Sequence, residues 1–375
     1  MRTRTGLVTA LVVAALAPPA SAATLVVAPG GSIQTAVDKA HAGDTIKVLS
    51  GTYVEKGRPC PTAPSKTCAV HISKGIRLRG LSKPGHPVVL EAKGDAHQGI
   101  EAARKGGTKC LKDPDLKIRK LQITGFTVRG FEGDGVFIRC AVDWRISHVR
   151  AIRNKEYGIF PVFSGAGRVD HSFASGANDT GIYVGQSHDV RIDHNTAINN
   201  VSGFEIENSF RTVADNNVGH DNTAGLLSFA LPNLEVKINR NNQIRNNFFN
   251  HNNRDNTCLD EDDEVCNVPP GSGIILVATD KNIVSSNKVK NNRTGGIATV
   301  SYCILIAGQE CNPDIDPNPD NNKIVANTVT GNGKDPAHPY EGFASDLIWD
   351  GSGKGNCWGD NVFATSYPDE LPACP

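Results

Sequence analysis

Along most of this chain, an apolar residue follows a glycine at a nearly constant interval. The successive glycines are separated by 23, 23, 22, 22, 48 and 23 residues, and the longest interval fits two repeats with a small insertion. The pairs are Gly135-Val136, Gly158-Ile159, Gly181-Ile182, Gly203-Phe204, Gly225-Leu226, Gly273-Ile274 and Gly296-Ile297. Self-similarity at this period predicts stacked supersecondary units rather than one folded-up core.

Within each repeat, apolar and polar positions alternate with period two, as in a β-strand. After Gly181, the alternation predicts that Ile182 and Val184 point inward and that Tyr183 and Gly185 point outward. Shorter β-like runs and Asn-rich bends follow, without helical periodicity. A repeat of about 22 residues with three short strands and three bends is one coil of a parallel β-helix, with stacked strands about 4.8 Å apart.

Two further marks keep the same phase as the glycines. Asparagines precede them by three or four residues, and stacked asparagines typically form a ladder that bonds the backbone of the next coil. We expect this structural role for Asn154, Asn178, Asn200 and Asn222. The glycines themselves are interpreted as bends with special φ angles.

The two ends of the chain differ from the repeats. Residues 1–22 have the charge, apolar run and small-residue cleavage site of a signal peptide, which predicts a secreted or extracytoplasmic protein. An amphipathic helix over 33–41 and a strand over 45–54 then predict an N-terminal helical cap. We expect a single domain over 23–375, with the cap and first coils at 23–98, repeated coils at 99–345 and a C-terminal cap at 346–375.

Ten cysteines fit an oxidising compartment. Pairing by neighbour gives five candidate disulfides, although the sequence alone leaves the connectivity open: Cys60/Cys68, Cys110/Cys140, Cys258/Cys266, Cys303/Cys311 and Cys357/Cys374. The chain has no CxxC motif, which argues against zinc. Its formal net charge is zero and it has no basic stripe interleaved with aromatic residues, so a nucleic-acid partner is not expected. After the signal peptide no run is long enough for membrane insertion, and a monomer is expected.

The repeats resemble the parallel β-helix repeat-containing proteins of the pectin-lyase-like superfamily. The resemblance is carried by IQTAVDKAHAGDTIKVLSGTYVE near the N-terminus and by ANDTGIYVGQS, SGFEIENS and GSGIILVATDKNIVSSNKVKNNRTGGI in the repeats. It implies an all-β fold, a right-handed parallel β-helix solenoid, in an extracellular or periplasmic setting. It does not imply one activity, because this fold carries many functions.

Relatives with known chemistry include polysaccharide lyases, glycoside hydrolases and alginate C5-epimerases. The epimerases carry a Tyr-Gly-x-Asp-Pro-His-Asp block, and residues 157–163 here read Tyr-Gly-Ile-Phe-Pro-Val-Phe. Both acids and the histidine are absent, which argues against epimerase catalysis. The calcium-binding acid cluster of pectate lyases has no clean equivalent on the repeated strand.

Alignment of the coils on the glycine places outward residues in rows, which predicts a sugar-binding groove with aromatic faces beside carboxylates. The candidate catalytic residues are Tyr183, Glu205, Glu207 and Asp179. The candidate substrate-binding residues are Phe137, Arg139, Tyr157, Phe160, Gln186, Asn208, His220 and Phe229. The alternative is that the charged residues only solvate this face and that Asp179 caps a turn.

The candidate residues suit two reactions on a polysaccharide or other glycan. Glu205 and Glu207 are two residues apart on one strand, roughly 6.6 Å, which is compatible with the paired carboxylates of a glycoside hydrolase. A lyase would need a base, an acid and a cation, roles that Glu205 or His220, Tyr183 and Arg139 could serve. A non-catalytic glycan-binding or structural β-helix is the alternative. No cofactor is required, although the acidic segments 258–266 and 314–320 could take Ca²⁺ as well as be solvated loops.

Overall fold

The computed structural model of the protein describes residues 22–94, 96–260, 263–304 and 310–375. Within these residues, short strands stack in three long parallel sheets that wind around one core. One coil contributes a strand to each sheet, as the repeat predicted. The predicted signal peptide lies outside the described residues, except for Ala22.

Each sheet runs the length of the described solenoid. Sheet 1 contains Thr24–Val27, Thr45–Leu49, Arg77–Leu81, Ile118–Arg119, Gln122–Thr124, Ala141–Ser147, Gly165–Asp170, His188–Asp193, Val213–Asp215, Gln243–Arg245, Ile283–Ser285, Lys323–Val325 and Cys357–Gly359. Sheet 2 contains Gly51–Tyr53, Val88–Glu91, Phe126–Arg129, Arg150–Ile152, Phe173–Ser175, Thr196–Ile198, Val218–His220, Phe248–Asn250, Lys288–Lys290 and Thr328–Thr330. Sheet 3 contains Arg58–Pro59, Thr67–Ile72, Gln98–Ala102, Val136–Arg139, Ile159–Val162, Thr180–Gly185, Ser202–Glu207, Ala224–Phe229, Ser272–Val277, Gly295–Val300, Ser345–Trp349 and Ser366–Tyr367.

The apolar residue after each repeated glycine lies in the core. These residues pair from coil to coil in register and are fully buried, so they form one continuous stack along the solenoid axis. The stack is Val136, Ile159, Ile182, Phe204, Leu226, Ile274 and Ile297. The prediction that Ile182 and Val184 point inward is confirmed, because both have no exposed surface.

The repeated glycines are required for a different reason from the predicted one. None of them has a positive φ angle, so the interpretation as bends with special φ was wrong. A Cβ atom at Gly203 would lie 2.7 Å from the carbonyl oxygen of Gly225, and one at Gly225 would lie 2.5 Å from that of Gly273. The glycines therefore permit close approach of successive coils.

Asparagine ladders connect the coils, as the sequence predicted. The side-chain oxygen of Asn222 accepts from the backbone N–H and from Nδ2 of Asn200, each at 3.0 Å. The ladder continues through Asn252, Asn292 and Asn332. Asn178 is not part of it, because the coil before Asn200 presents Ala177 at the ladder position. A fixed offset from the glycine could not distinguish these neighbouring residues.

At the N-terminus, an α-helix over Ile33–Lys39 packs its buried face on the first coils. Ser32 caps this helix by accepting from the Thr35 N–H at 3.0 Å. The helix is thus present where it was predicted and ends at Lys39, two residues short of residue 41, whereas its role as a cap over the open end stays a prediction. Short 3₁₀ helices lie at Gly107–Leu111, Pro114–Leu116, Glu264–Asn267, Tyr302–Ile304 and Glu341–Phe343. No helix in the described part of the chain has the length and hydropathy of a membrane span.

Five disulfides join the cysteines in the predicted neighbour pairs. They are Cys60–Cys68, Cys110–Cys140, Cys258–Cys266, Cys303–Cys311 and Cys357–Cys374. Two of these bridges close short segments that lie outside the sheets, between strands of the last third of the solenoid.

Candidate active site

A cleft of about 740 Å³ lies on the outward face of sheet 3. Its floor is formed by strands of successive coils, and its walls come from the segments between strands. The lining combines acidic, aromatic and aliphatic side chains and includes Lys155, Glu156, Tyr157, Asp179, Tyr183, Glu205, Leu227, Glu207, Phe229, Asp260, Asp263, Glu264, Val265, Asn267, Val268, Ser272, Ile275, Val277, Thr294, Ala298, Val300, Tyr340 and Ile348. A volume of this size is that of a small-molecule or glycan site.

The outward rows predicted from the glycine alignment are present in the register of sheet 3. Tyr183 pairs with Glu205 and Glu205 with Leu227, while Gly185 pairs with Glu207 and Glu207 with Phe229. The carboxylates are nevertheless not on an open surface. Only 4% of Glu205 and 9% of Glu207 is exposed. The alternative that they solvate an exposed face is therefore contradicted by their burial.

The burial comes from segments that do not follow the repeat. Val268 and Ile315 lie outside the strands and pack with Leu227 and Ile275 of sheet 3 in a second apolar cluster. These segments fall in the long intervals between strands of sheet 3. Together they convert a row of outward side chains into a covered cleft.

Tyr183 reaches from one coil to the next. Its hydroxyl donates a hydrogen bond to the carboxyl group of Glu207. The ring passes over Gly185, where a Cβ atom would lie only 2.2 Å from the tyrosine oxygen. The absence of a side chain at Gly185 therefore permits this conformation of Tyr183.

Tyr157 and Tyr183, which line the cleft, belong to a cluster of aromatic rings. The ring centroid of Tyr157 is 4.3 Å from that of Phe160 and 5.2 Å from that of Tyr183. The ring centroids of Phe160 and Tyr183 are 4.6 Å apart. Phe137 extends the cluster by a contact with Phe160 at 5.1 Å. Such ring clusters are stiff, and they present apolar faces of the kind that contact sugar rings.

Asp179 lines the same cleft as the two glutamates and lies near enough for its charge to raise the pKa of both. Its carboxylate accepts hydrogen bonds from the Thr180 hydroxyl at 2.9 Å and from the hydroxyl of Tyr157. Burial raises the pKa of Asp179 to about 6, and these hydrogen bonds oppose the rise. Burial and the nearby carboxylates raise the pKa of Tyr157 well above its usual value, so this hydroxyl keeps its proton.

The two glutamates hold their protons more tightly than Asp179 does. Burial raises the pKa of Glu205 to about 8, and the charge of Asp179 adds to the rise. Burial also raises the pKa of Glu207 to about 8, with further contributions from Asp179 and Glu264. Near neutral pH the cleft therefore contains an ionised aspartate beside protonated glutamates.

The cleft is strongly acidic. Its lining includes seven acidic residues: Glu156, Asp179, Glu205, Glu207, Asp260, Asp263 and Glu264. Among the described lining residues, Lys155 is the only basic one, and its amine is 2.6 Å from the carboxylate of Glu132. Since Glu205 and Glu207 hold their protons near neutral pH, the repulsion that a negatively charged ligand would meet comes from the other five acidic residues.

Six of the eight predicted binding residues are not among the lining residues: Phe137 and Phe160 contact each other in the aromatic cluster, and the other four lie elsewhere. Arg139 lies over the ring of Phe163, at 5.2 Å from its centroid, outside the cleft lining. The side-chain oxygen of Gln186 accepts hydrogen bonds from the N–H groups of Glu235 and Val236 at 3.0 and 3.2 Å. It thereby holds the segment that follows the strand Ala224–Phe229 of sheet 3. Asn208 bonds the same segment. His220 lies on sheet 2 beside Asp221, whereas the carboxylates lie on sheet 3.

Sequence reasoning did not identify the C-terminal half of the cleft. Ile275, Val277, Ala298, Val300 and Ile348 continue the outward rows beyond Leu227 and Phe229. The signal was present for the first four, because they follow Gly273 and Gly296 at the same offsets, whereas the coil of Ile348 has Asp346 at the glycine position. Their apolar character at outward positions is what distinguishes them from the solvated face of an ordinary coil.

The described residues provide no thiolate metal site. One group of potential ligand atoms contains Cys60, Cys68 and Glu101, but the two cysteines form a disulfide. Glu101 accepts hydrogen bonds from the N–H and hydroxyl of Thr62 at 3.0 and 2.8 Å. In the second acidic segment, Asp314 is bonded to Lys237 and to the Asn233 N–H. The suggested Ca²⁺ sites stay predictions.

Comparison with known proteins supports the fold. Residues 95–239 match the family model described as "Right handed beta helix region". Among curated protein sequences, none matches this chain. The fold is similar to that of the mannuronan C-5 epimerase AlgE6 A-module of Azotobacter vinelandii, with a TM-score of 0.64 and 16% identity over 88% of this chain and 83% of that chain.

Two further solved structures share the architecture. The AlgE4 A-module of Azotobacter vinelandii gives a TM-score of 0.62 and 17% identity over 88% of this chain and 90% of that chain. DFA-IIIase from Arthrobacter chlorophenolicus A6, in complex with GF2, gives a TM-score of 0.57 and 14% identity over 90% of this chain and 81% of that chain. The chain therefore has the right-handed parallel β-helix fold.

Proposed function

We propose that this protein is a glycan-cleaving enzyme that acts outside the cytoplasm, and that it is a glycoside hydrolase with its active site in the cleft of sheet 3. The observation that carries the proposal is the convergence of Asp179, Glu205 and Glu207 in one covered cleft. Glycoside hydrolysis uses a pair of carboxyl groups, one protonated and one ionised. Structural neighbours named as an epimerase and a DFA-IIIase are consistent with a carbohydrate substrate.

The two roles follow from the difference in pKa. Glu205, with a pKa of about 8, is protonated near neutral pH and would donate its proton to the leaving oxygen. Asp179, with a pKa of about 6, is ionised and would serve as base or nucleophile. Tyr183 and Glu207 would hold the sugar hydroxyls, and the rings of Tyr157 and Tyr183 would contact its apolar face.

Electrostatics favour a neutral substrate over a uronate. Elimination from a uronate requires a cation or protonated group that neutralises the carboxylate next to the proton removed. Lys155, the basic residue of the described lining, is already paired with Glu132. Arg139 and His220, which the sequence offered for such roles, lie outside the lining, so we do not include them in the proposed machinery.

The setting outside the cytoplasm is supported by covalent structure. All ten cysteines are joined in five disulfides, which persist in oxidising compartments. The predicted signal peptide over residues 1–22 agrees with this setting. A monomer is part of the same proposal.

A panel of neutral and acidic polysaccharides tests the proposed function. Purified protein is incubated with each substrate, and reducing ends and absorbance at 235 nm are both measured. Hydrolysis gives reducing ends without absorbance, and Glu205→Gln abolishes it, whereas the exposed Glu370→Gln, the matched control, leaves it unchanged.

Two other outcomes would each select a different function. Absorbance at 235 nm would indicate a lyase, for which Tyr157, held at Asp179, would be the acid. Binding to a glycan array without any product would indicate a non-catalytic glycan-binding β-helix. Either result would overturn the assignment of hydrolysis.

A further inference from the structure

The outward rows of sheet 3 change character at one coil boundary. On the N-terminal side they carry Tyr183, Glu205 and Glu207. On the C-terminal side, the row of Glu205 continues as Leu227, Ile275, Ala298 and Ile348. The row of Glu207 continues as Phe229, Val277 and Val300. We name these seven apolar residues the apolar wall.

Three polar side chains beside the apolar wall donate hydrogen bonds within the protein. The hydroxyl of Ser272 donates to the carbonyl of Pro269 at 2.8 Å, and that of Thr294 donates to Pro270 at 2.5 Å. Asn267 donates to Glu264. A polysaccharide subsite needs polar groups that fix hydroxyls. This half of the cleft instead offers aliphatic surface.

Packing beneath the covering segments accounts for most of the wall. Leu227, Ile275, Val277 and Val300 belong to a second apolar cluster with Val268, and Phe229 and Ala298 pack against that cluster. A closed cluster of this kind would leave no space for a ligand. These same residues nevertheless border the cleft of about 740 Å³, and that cleft is continuous with the carboxylates.

The length of the apolar wall defines the size of its ligand. From Leu227 to Ile348 there are three coil steps, or about 14 Å at ~4.8 Å per step. An extended alkyl chain with bonds of about 1.5 Å advances roughly 1.25 Å per carbon, so the wall accommodates up to about eleven carbons. The acidic residues of the lining other than the protonated Glu205 and Glu207 would repel an anionic headgroup.

We propose that the cleft takes a neutral glycoside whose aglycone is apolar, such as an alkyl chain of about eight to ten carbons. The sugar lies against the carboxylates and aromatic rings, and the aglycone lies along the apolar wall. The inference rests on the proposed function for the position of the sugar. It differs from that function in naming the group on the other side of the glycosidic bond.

Binding of an alkyl glycoside series tests this inference without turnover. Methyl, hexyl and octyl glucoside, each below its micelle concentration, are titrated calorimetrically into the Glu205→Gln protein. Burial of each CH₂ contributes about 0.8 kcal/mol, a factor of roughly four, so affinity is expected to rise at least 100-fold from methyl to octyl. Octyl sulfate, which has the same chain and a negative charge, is expected to bind at least tenfold more weakly than octyl glucoside.

Substitutions in the apolar wall locate the binding. Ala298→Trp fills the wall without removing a buried group, and it should remove the dependence on chain length. Ile275→Ser should weaken octyl glucoside binding at least tenfold. Ile283→Ser is the matched control on sheet 1, where Ile283 is 40% exposed, and it should have no effect.

The outcomes separate this inference from the proposed function. Affinity that is independent of chain length, or undiminished binding of octyl glucoside to Ala298→Trp, would overturn the apolar aglycone even if glycans are hydrolysed. Chain-dependent binding with no hydrolysis of any substrate would overturn the proposed function and leave the apolar binding site in place.

Discussion

Glu205→Gln is expected to stabilise the protein at alkaline pH although it removes the proposed catalytic acid. The pKa of Glu205 is about 8 in the folded protein, against a usual value of 4.5. Between these two values the folded state binds one proton more than the unfolded state. The free energy of unfolding of the wild type therefore falls as pH rises through this window. Glutamine carries no titratable proton and escapes the loss.

The size of the effect follows from the shift. One pKa unit corresponds to about 1.36 kcal/mol, so a shift from 4.5 to about 8 gives an upper limit of about 5 kcal/mol above pH 8. The unfolding entropy is about 2.1 cal/mol/K per residue. For the roughly 350 residues of the mature chain, each kcal/mol of unfolding free energy therefore changes Tm by about 1.4 °C. The Tm of Glu205→Gln should exceed that of the wild type by about 3 to 6 °C at pH 9, and the difference should vanish at pH 4.

Thermal unfolding at half-unit steps between pH 4 and pH 9 measures this difference. Glu370→Gln removes an exposed carboxyl group and should follow the wild type at every pH. A difference in Tm that is constant with pH, or that falls as pH rises, would refute the burial of an uncharged Glu205. This assay needs no substrate, so it tests the electrostatics of the cleft independently of its function.

Three other predictions follow from the same contacts. Gly185→Ala should displace the Tyr183 ring and lower turnover about 100-fold, measured on the hydrolysed substrate, because small misplacements of reacting groups have effects of that order. Gly203→Ala should lower the free energy of unfolding by about 1–3 kcal/mol, measured by urea denaturation, because its Cβ meets the next coil. The pH profile of kcat/KM should be bell-shaped, rising near pH 6 as Asp179 ionises and falling near pH 8 as Glu205 loses its proton.

The same glycine substitution at an open position provides the control. No heavy atom lies within 4 Å of a Cβ built on Gly342, so Gly342→Ala should change neither turnover nor unfolding. Equal destabilisation by Gly203→Ala and Gly342→Ala would contradict the close approach of coils. Unchanged turnover in Gly185→Ala would contradict the role of Tyr183, and a profile without an alkaline limb would contradict Glu205 as the acid.

Repetition made the fold predictable from the sequence. A residue such as Ile182 is specified by its own period-two alternation and again by the equivalent residue of each neighbouring coil, so its inward orientation was correct. Where a prediction rested on one coil only, it was less secure. Asn178 was assigned to the ladder by its offset from a glycine, but Ala177 has that position. The special φ angles expected of the glycines were inferred from the residue type alone. The short distance between successive coils is what requires glycine at these positions.

The site was predictable only as far as the repeat extends. The register placed Tyr183, Glu205 and Glu207 together, because outward positions of neighbouring coils lie about 4.8 Å apart. The sequence could not show that they are buried, since the covering segments around Val268 have no repeat to set their path. For the same reason the partners of Gln186 lie 49 and 50 residues away along the chain, beyond any local pattern.

The stability of the solenoid and the chemistry of its cleft depend on different positions of the same coil. Close glycine contacts, the core stack and the asparagine ladder fix the register, and none of them uses the outward residues of sheet 3. Those residues can therefore carry buried carboxyl groups whose ionisation costs free energy. If the buried carboxyl group of Glu205 were needed for folding, Glu205→Gln would disrupt the coil. Since the ladder and the core do not involve Glu205, the substitution should separate activity from stability. Activity should be lost, and at alkaline pH the stability of the protein should increase.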